Sequence, residues 1–381
     1  MPEAKETRSK SANLQIEKEH LSDLSFRRLS QQLLLSHSNQ LDSPSTVVER
    51  FGAVQAQDYA GAKWALGLRM RKHTTDASIE LAFNEGRILR IHVMRPTWHF
   101  VHPKDIRWLV DLTAPRVNVA NSFMYRQLGL DEEQFSRSNK IIEKALIVKH
   151  YLTRAELSKV LEDAGMKAKA LRLVYFIMRA ELEGLICSGP RRGKQFTYAL
   201  LDERAPHSRI LDRKEALEEL TMRYFTSHGP ATLHDFAWWS GLNMADAREG
   251  LEETGSRLDH EILDGKTYWF RNSRKQQVIE TSKKVLLLPT FDEFLVGYSS
   301  YGRLLRGRDE HKEKRVLFNS PIVSSGKVMG TWKREFKKDA VKVTFAPFSN
   351  LDNDESEALI AAADHYSEFM GMPVMSSFFS G

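Results

Sequence analysis

The chain has 381 residues, 41% hydrophobic and 28% charged, with a formal net charge of +6 and a pI near 9.2. At about 150 residues per domain this implies two or three domains of a soluble globular protein, basic enough to suit a polyanionic partner without requiring one. The single cysteine, Cys187, excludes an intramolecular disulfide and a cysteine-rich metal site. The absence of a run of about 18 apolar residues argues against a membrane span, and the polar start against a signal peptide.

Met1 to His20 reads as a disordered tail. Leu24, Phe26, Leu29, Leu33 and Leu34 recur at helical spacing, so a first helix is expected over 21–37. Thr46-Val-Val-Glu49 has the spacing of a capping box and opens a short helix ending near Gly52. Phe-Gly-Ala-Val-Gln-Ala-Gln-Asp follows, residues 51–58. On an extended backbone Gln55 and Gln57 point to one side and Asp58 to the other. Asp58 is therefore read as a cap or a surface ion pair rather than a base. Helices are expected over 63–71 and 76–86, then a hairpin over 88–101 around Arg95-Pro96. Arg90, His92, Arg95, Thr97 and His99 are its polar positions. Paired glutamines alone are more often surface residues than catalysts.

Helices are next expected over 103–114, 116–128 and 131–150. The first outline then returns. Thr153-Arg-Ala-Glu156 caps one helix, 170–184 forms another, and a hairpin over 186–200 turns at 189–193. A third round has a helix over 214–228, a cap at Thr232-Leu-His-Asp235, a helix over 244–253 and a hairpin over 258–271 turning at Asp264-Gly265. Helices followed by a two-stranded wing outline a winged helix-turn-helix. From Val285 strand-like runs take over at 285–288, 321–324, 327–332 and 341–346, with a charged segment Arg303 to Arg315 and a closing helix over 356–370.

The expected fold class is α+β: tandem winged helix-turn-helix units followed by a small, mostly β C-terminal region. Its boundaries are a tail 1–20, unit one 21–102, a helical connector 103–150, unit two 151–205, unit three 206–280 and the C-terminal region 281–381. Arg191, Arg192 and Lys194 lie on the second wing, and Arg271, Arg274 and Lys275 follow the third, where cations would meet phosphates. Lys333, Arg334, Lys337 and Lys338 form a further basic group. Trp98 offers a ring for base stacking; Trp238-Trp239, inside a helix, reads as core. Asp292 and Glu293, set among apolar residues, read as structural. No P-loop, dinucleotide fingerprint or His-Glu-x-x-His is present, and neither cofactor nor metal is expected.

Gln-Ala-Gln-Asp after an apolar helix, then Met-Arg-Pro-Thr-Trp-His-Phe-Val at 94–101, resembles the AlkZ-type (YcaQ-like) winged-helix DNA glycosylases. Pro96 and Trp98 stand where that family often has Gly and Leu. Leu-Leu-Leu-Pro-Thr-Phe-Asp-Glu-Phe-Leu-Val-Gly-Tyr, residues 286–298, and Gly-Lys-Val-Met-Gly-Thr-Trp-Lys-Arg, 326–334, continue the resemblance in family order. The resemblance implies that Gln55 and Gln57 are the catalytic pair of the Gln-x-Gln group, which is associated with bulky alkylated purines and crosslinks. It implies that Arg95, Thr97 and His99 support the site or contact phosphate.

The chemistry agrees with such a pair. Alkylation at N7 of guanine makes the base a good leaving group, so what remains is to extrude the nucleotide and orient a water. A glutamine does the latter by donating and accepting, although it is a poor base. The expected protein is a monomeric, cytoplasmic, nucleoid-associated DNA glycosylase without lyase activity. It acts on double-stranded DNA that is alkylated or crosslinked, hydrolyses N7- or N3-alkylated purines and leaves an abasic site. The alternative is a non-catalytic tandem winged-helix regulator.

Overall fold

The computed structural model describes residues 23–35, 40–71, 74–271, 284–299 and 319–378. The expected tail Met1–His20, the charged segment Arg303–Arg315, and Arg274 and Lys275 lie outside the described residues.

Helix α1 (residues 23–31) and α2 (Pro44–Phe51) precede a short strand, β1 (Ala53–Gln55). Ser43 caps α2 by accepting from Thr46 N, with Pro44 at the first turn, so the helix begins before the Thr46–Glu49 box. Helices α3 (Tyr59–Gly67) and α4 (Asp76–Asn84) follow, then β2 (Leu89–His92) and β3 (Trp98–Val101). The three strands form an antiparallel sheet in the order β1-β3-β2. Helix α3 starts four residues earlier than the sequence suggests, because Asp58 leaves the strand path and caps it.

Helix α5 runs unbroken from Ile106 to Gln127, through Pro115, where two helices were expected. Pro115 and Asp111 are both exposed. The carbonyl that loses its donor, that of residue 111, therefore faces water, which lowers the cost of an interior proline. Helix α6 (Glu132–Lys149) leads to β4 (Leu152–Thr153), α7 (Arg154–Asp163), α8 (Ala170–Leu182), β5 (Ile186–Ser188), β6 (Thr197–Leu200) and α9 (Leu201–Arg204). The sheet order β4-β6-β5 repeats that of the first sheet. Helices α10 (Arg213–Ser227), α11 (Leu233–Ser240) and α12 (Met244–Thr254) precede the hairpin β7 (Asp259–Leu263) and β8 (Lys266–Phe270). Asp264 and Gly265 both take left-handed φ, 49° and 70°, as a two-residue hairpin turn of matching twist requires.

The C-terminal region is a five-stranded sheet, β13-β12-β11-β10-β9. Its strands are β9 (Val285–Leu287), β10 (Ser320–Ser324), β11 (Lys327–Phe336), β12 (Val341–Pro347) and β13 (Val374–Phe378), with α13 (Glu293–Val296) after β9 and α14 (Asn353–Met370) before β13. Strand β13 was not anticipated. It pairs parallel to β12, which the α14 crossover makes possible.

The C-terminal sheet does not stand apart from the N-terminal helices. Phe51, Trp64 and Ile79 share one buried cluster with Leu287, Trp332, Tyr366 and Phe369. Trp64 Nε1 donates to Leu287 O at 2.6 Å and Trp332 Nε1 to Leu288 O at 2.8 Å. A second cluster joins β2 and α5 to α10 and α11. The β1 edge thus lies where distant parts of the chain converge.

Candidate active site

Gln55 closes β1 opposite His99 on β3. Residues directly opposed across antiparallel strands put their Cβ atoms about 4.5–5.5 Å apart on the same face. Helix α13 brings Glu293 against them. Glu293 Oε1 accepts from Gln55 N at 2.7 Å, and Oε2 accepts from Trp239 Nε1 at 2.8 Å and lies 3.3 Å from His228 Nε2. Burial works against charge on Glu293, but the hydrogen bond and charge of His228 and the Gln55 N–H outweigh it, and its carboxyl is held below the usual range. The neighbouring Asp292 anchors the segment through two hydrogen bonds from Arg69, at 2.7 and 2.8 Å.

The turn between β2 and β3 supplies the other wall. Met94 takes φ 65° there, and its carbonyl is so close to Gly241 that a Cβ at 241 would lie 2.0 Å from it. Gly241 itself has φ 71°, so a side chain is excluded on both counts. Arg95 N donates to Val93 O at 2.7 Å and Thr97 N to Arg95 O at 2.6 Å, which coils the backbone tightly and turns the Arg95 side chain inward. Burial lowers the Arg95 pKa, and the Glu293 charge opposes that shift. His99 Nδ1 lies 3.0 Å from Thr97 O, which only accepts, so Nδ1 carries the proton and donates. Burial, then the Arg95 charge, lower the His99 pKa to about 3, so the ring is neutral.

Twelve buried side-chain polar atoms have no hydrogen-bond partner among the described residues. Five of them are gathered here: Gln55 Oε1, Arg95 Nε and Nη2, Thr97 Oγ1 and His99 Nε2. Buried polar groups are almost always paired, because an unpaired one costs about 1–3 kcal/mol. A concentration of them marks a place built to meet another molecule.

Gln57 sits differently from Gln55. The strand ends at Gln55 and the chain bends, so Gln57 is exposed and its Oε1 accepts from Trp98 N at 3.4 Å. One amide is buried and the other lies at the surface. Asp58 caps α3 through Gly61 N at 3.1 Å and pairs with Arg334 at 2.8 Å. Arg90 lies between Trp98 and Phe196, 4.3 and 4.7 Å from the ring centres, and donates to Ala56 O. His92 packs on the same Trp98 ring at 4.3 Å and hydrogen-bonds Glu181 through Nδ1. Trp98 is thereby held by Arg90 and His92. Trp239 is buried, whereas Trp238 is half exposed.

The wing cations are divided. Arg191 stacks over Tyr59 and Phe196 and lies 3.6 Å from Glu80, and Arg192 pairs with Glu156 at 2.8 Å. Lys194 and Arg271 are exposed. Among the described residues no three His, Cys, Asp or Glu are arranged to hold a metal ion, and no helix is long and apolar enough to cross a membrane.

His228 is not singled out by the sequence, and Glu293 and Trp239 read there as structural and core residues rather than as parts of the site. The one signal was a pair of acids inside an apolar run, which gave no indication of what they face.

The His99 shift has a measurable consequence. A histidine with a depressed folded-state pKa contributes stability above its unfolded value, near 6.5, that is lost as pH falls toward the folded value. Wild-type unfolding free energy is expected to fall between pH 6.5 and 5, and His99→Gln to lose up to about 1.4 kcal/mol less per pH unit. Parallel urea denaturation curves of the two proteins at each pH would contradict it.

This is an α+β protein whose buried polar site joins an amide-bearing strand end to a hairpin turn, and it matches the DNA glycosylase AlkZ-like family over residues 48–369. The chain belongs to that family. It is 23% identical over 346 residues to an interstrand DNA cross-link repair glycosylase of Streptomyces sahachiroi, covering 87% of this chain and 91% of that protein. The solved structure of Streptomyces sahachiroi DNA glycosylase AlkZ is similar with a TM-score of 0.74 at 22% identity, covering 93% of this chain and 99% of that one.

Proposed function

We propose that this protein is a monofunctional DNA glycosylase that hydrolyses the N-glycosidic bond of N7- or N3-alkylated purines in duplex DNA, bulky adducts and interstrand crosslinks included. The observation that carries the reading is the buried, unpartnered Gln55 amide oxygen opposite His99 in a chain of this family. An extruded nucleotide would present its sugar to that oxygen. Gln55, with Gln57 at the surface, orients a water toward C1′. The C1′–O bond forms, the C1′–N9 bond breaks, and the bond pair neutralises the alkylated purine as it leaves. The buried carboxylate of Glu293 favours positive charge developing on the sugar.

Among the described residues, none of the groups chiefly shifting His99, Arg95 or Glu293 is a lysine. No Schiff base forms, and the product is an intact abasic site. The Streptomyces relative is an interstrand DNA cross-link repair glycosylase, which supports the substrate class. The repeated strand orders β1-β3-β2 and β4-β6-β5 support winged units that hold the duplex, with the exposed Arg271 and Lys194 on the backbone.

The test is a duplex carrying one 7-methylguanine, incubated with protein and then treated with alkali. Alkali-dependent breaks at the lesion are expected, with none before alkali. Tight binding without base release would leave only a DNA-binding protein. Affinity is expected to fall steeply with salt, by about tenfold or more between 50 and 200 mM, if several phosphates are neutralised. A flat salt dependence measured by fluorescence anisotropy would remove the backbone contacts.

A further inference from the structure

We infer that His99 is a third catalytic residue, whose Nε2 is the acceptor that seats the attacking water together with the Gln55 amide oxygen. The inference rests on the glycosylase reading and deepens it. Three independent features place it. His99 and Gln55 are direct partners across β1 and β3, so their side chains leave one face of the sheet. Thr97 O, 3.0 Å from Nδ1, holds the ring in the tautomer that leaves Nε2 with a lone pair. Nε2 and Gln55 Oε1 are both buried, and neither has a partner among the described residues.

A water has two hydrogens to donate, and two neighbouring acceptors fix both. Its oxygen lone pair is then left to face the sugar. Arg95 Nε and Nη2 can only donate and suit oxygen atoms of the nucleotide, whereas Thr97 Oγ1 in the same cluster can donate or accept.

The step balances without a further reactant. As the water oxygen bonds to C1′, the C1′–N9 electron pair goes to the departing purine. One water proton passes to His99 Nε2, which is closed off from solvent, and leaves the ring once the product departs. A water bonded to an oxocarbenium carbon is a far stronger acid than an imidazolium, so a weakly basic ring suffices. Burial and then the Arg95 charge disfavour the transient imidazolium, and the Glu293 charge offsets them only in part, so the proton is held briefly.

Two amide substitutions separate this role from a structural one. In His99→Asn the new amide nitrogen overlays Nδ1 and keeps the donor to Thr97 O, but nothing stands at the Nε2 position. His99→Gln carries an amide oxygen to that position. Single-turnover release of 7-methylguanine by His99→Asn is expected to fall about 100-fold or more, with unchanged affinity for a duplex holding a tetrahydrofuran abasic mimic. His99→Gln is expected to stay within about tenfold of wild type. A folded His99→Asn that excises within about threefold of wild type, or a folded, DNA-binding His99→Gln about as slow as His99→Asn, overturns the assignment. Should His99→Asn fail to fold, a folded, DNA-binding His99→Gln about 100-fold or more below wild type overturns the assignment, and one within about tenfold supports it. A wild-type protein that releases no base is a different result: it removes the glycosylase reading and this assignment with it.

Discussion

Gln55→Ala is expected to slow release of an alkylated purine by about 100-fold or more, the effect of removing one preorganised polar group from a water-excluded site. The expectation is sharper than for most catalytic substitutions, because the side chain and the backbone of Gln55 have separate tasks. Its N–H holds Glu293 at 2.7 Å, and alanine keeps that N–H. Its amide oxygen has no partner among the described residues, so its removal breaks no internal hydrogen bond there. The variant should fold as the wild type does and lose rate rather than stability. Gln57→Ala is expected to cost less, about tenfold, because Gln57 stands exposed with a single long contact to Trp98 N. Single-turnover excision rates and urea midpoints measured on the same preparations decide the matter. Equal rates for Gln55→Ala and wild type would end the water-orienting role, and a shifted midpoint would reassign Gln55 to the fold.

Asp292→Ala should have the largest effect on stability, about 3–5 kcal/mol, as found when one partner of a buried ion pair is removed. Arg69 and Asp292 are both closed off from solvent, and two hydrogen bonds join them. Arg69 also donates to Ala65 O and Gln32 Oε1, so it stays in place when the carboxylate is removed and becomes a buried, uncompensated charge. Asp292 further caps α13 through Phe294 N, the turn that presents Glu293 to β1. Excision should therefore weaken along with the fold. The double variant Arg69→Met, Asp292→Leu removes both charges and should recover most of the lost stability. Chemical denaturation of the three proteins tests this, and a single variant within about 1 kcal/mol of wild type would show that the pair is not an anchor.

Much of the chain is legible in the order of its residues. The caps at Thr153 and Thr232 and the hairpin turn at Asp264-Gly265 are local, because a side chain reaching its own backbone three residues away needs no tertiary partner. The hairpin over 88–101 follows from alternation of polarity, which survives wherever one face of a sheet is covered. Where the fold departs from expectation, a competing local effect is at work. Pro115 reads as a break and is tolerated on a solvent-facing turn. The extended path expected through Gln57 stops at Gln55, while Asp58 caps α3 and pairs with Arg334 as its position suggests. Strand β13 is short, carries Ser376 and Ser377 at its centre, and acquires its identity only from the β12 edge beside it.

The candidate site divides along the same line. Resemblance of the motifs at 55–58 and 94–101 to a known family is what singles out Gln55, Gln57, Arg95, Thr97 and His99; by themselves paired glutamines read as surface residues. Tertiary structure decides which of them are buried, which tautomer His99 holds, and that Glu293, 238 residues beyond Gln55, lies hydrogen-bonded beneath it. The physical reason is range. Capping and alternation act over a few residues, whereas desolvation and the pairing of buried charges depend on what the folded chain brings within a few ångströms, and no local pattern encodes that.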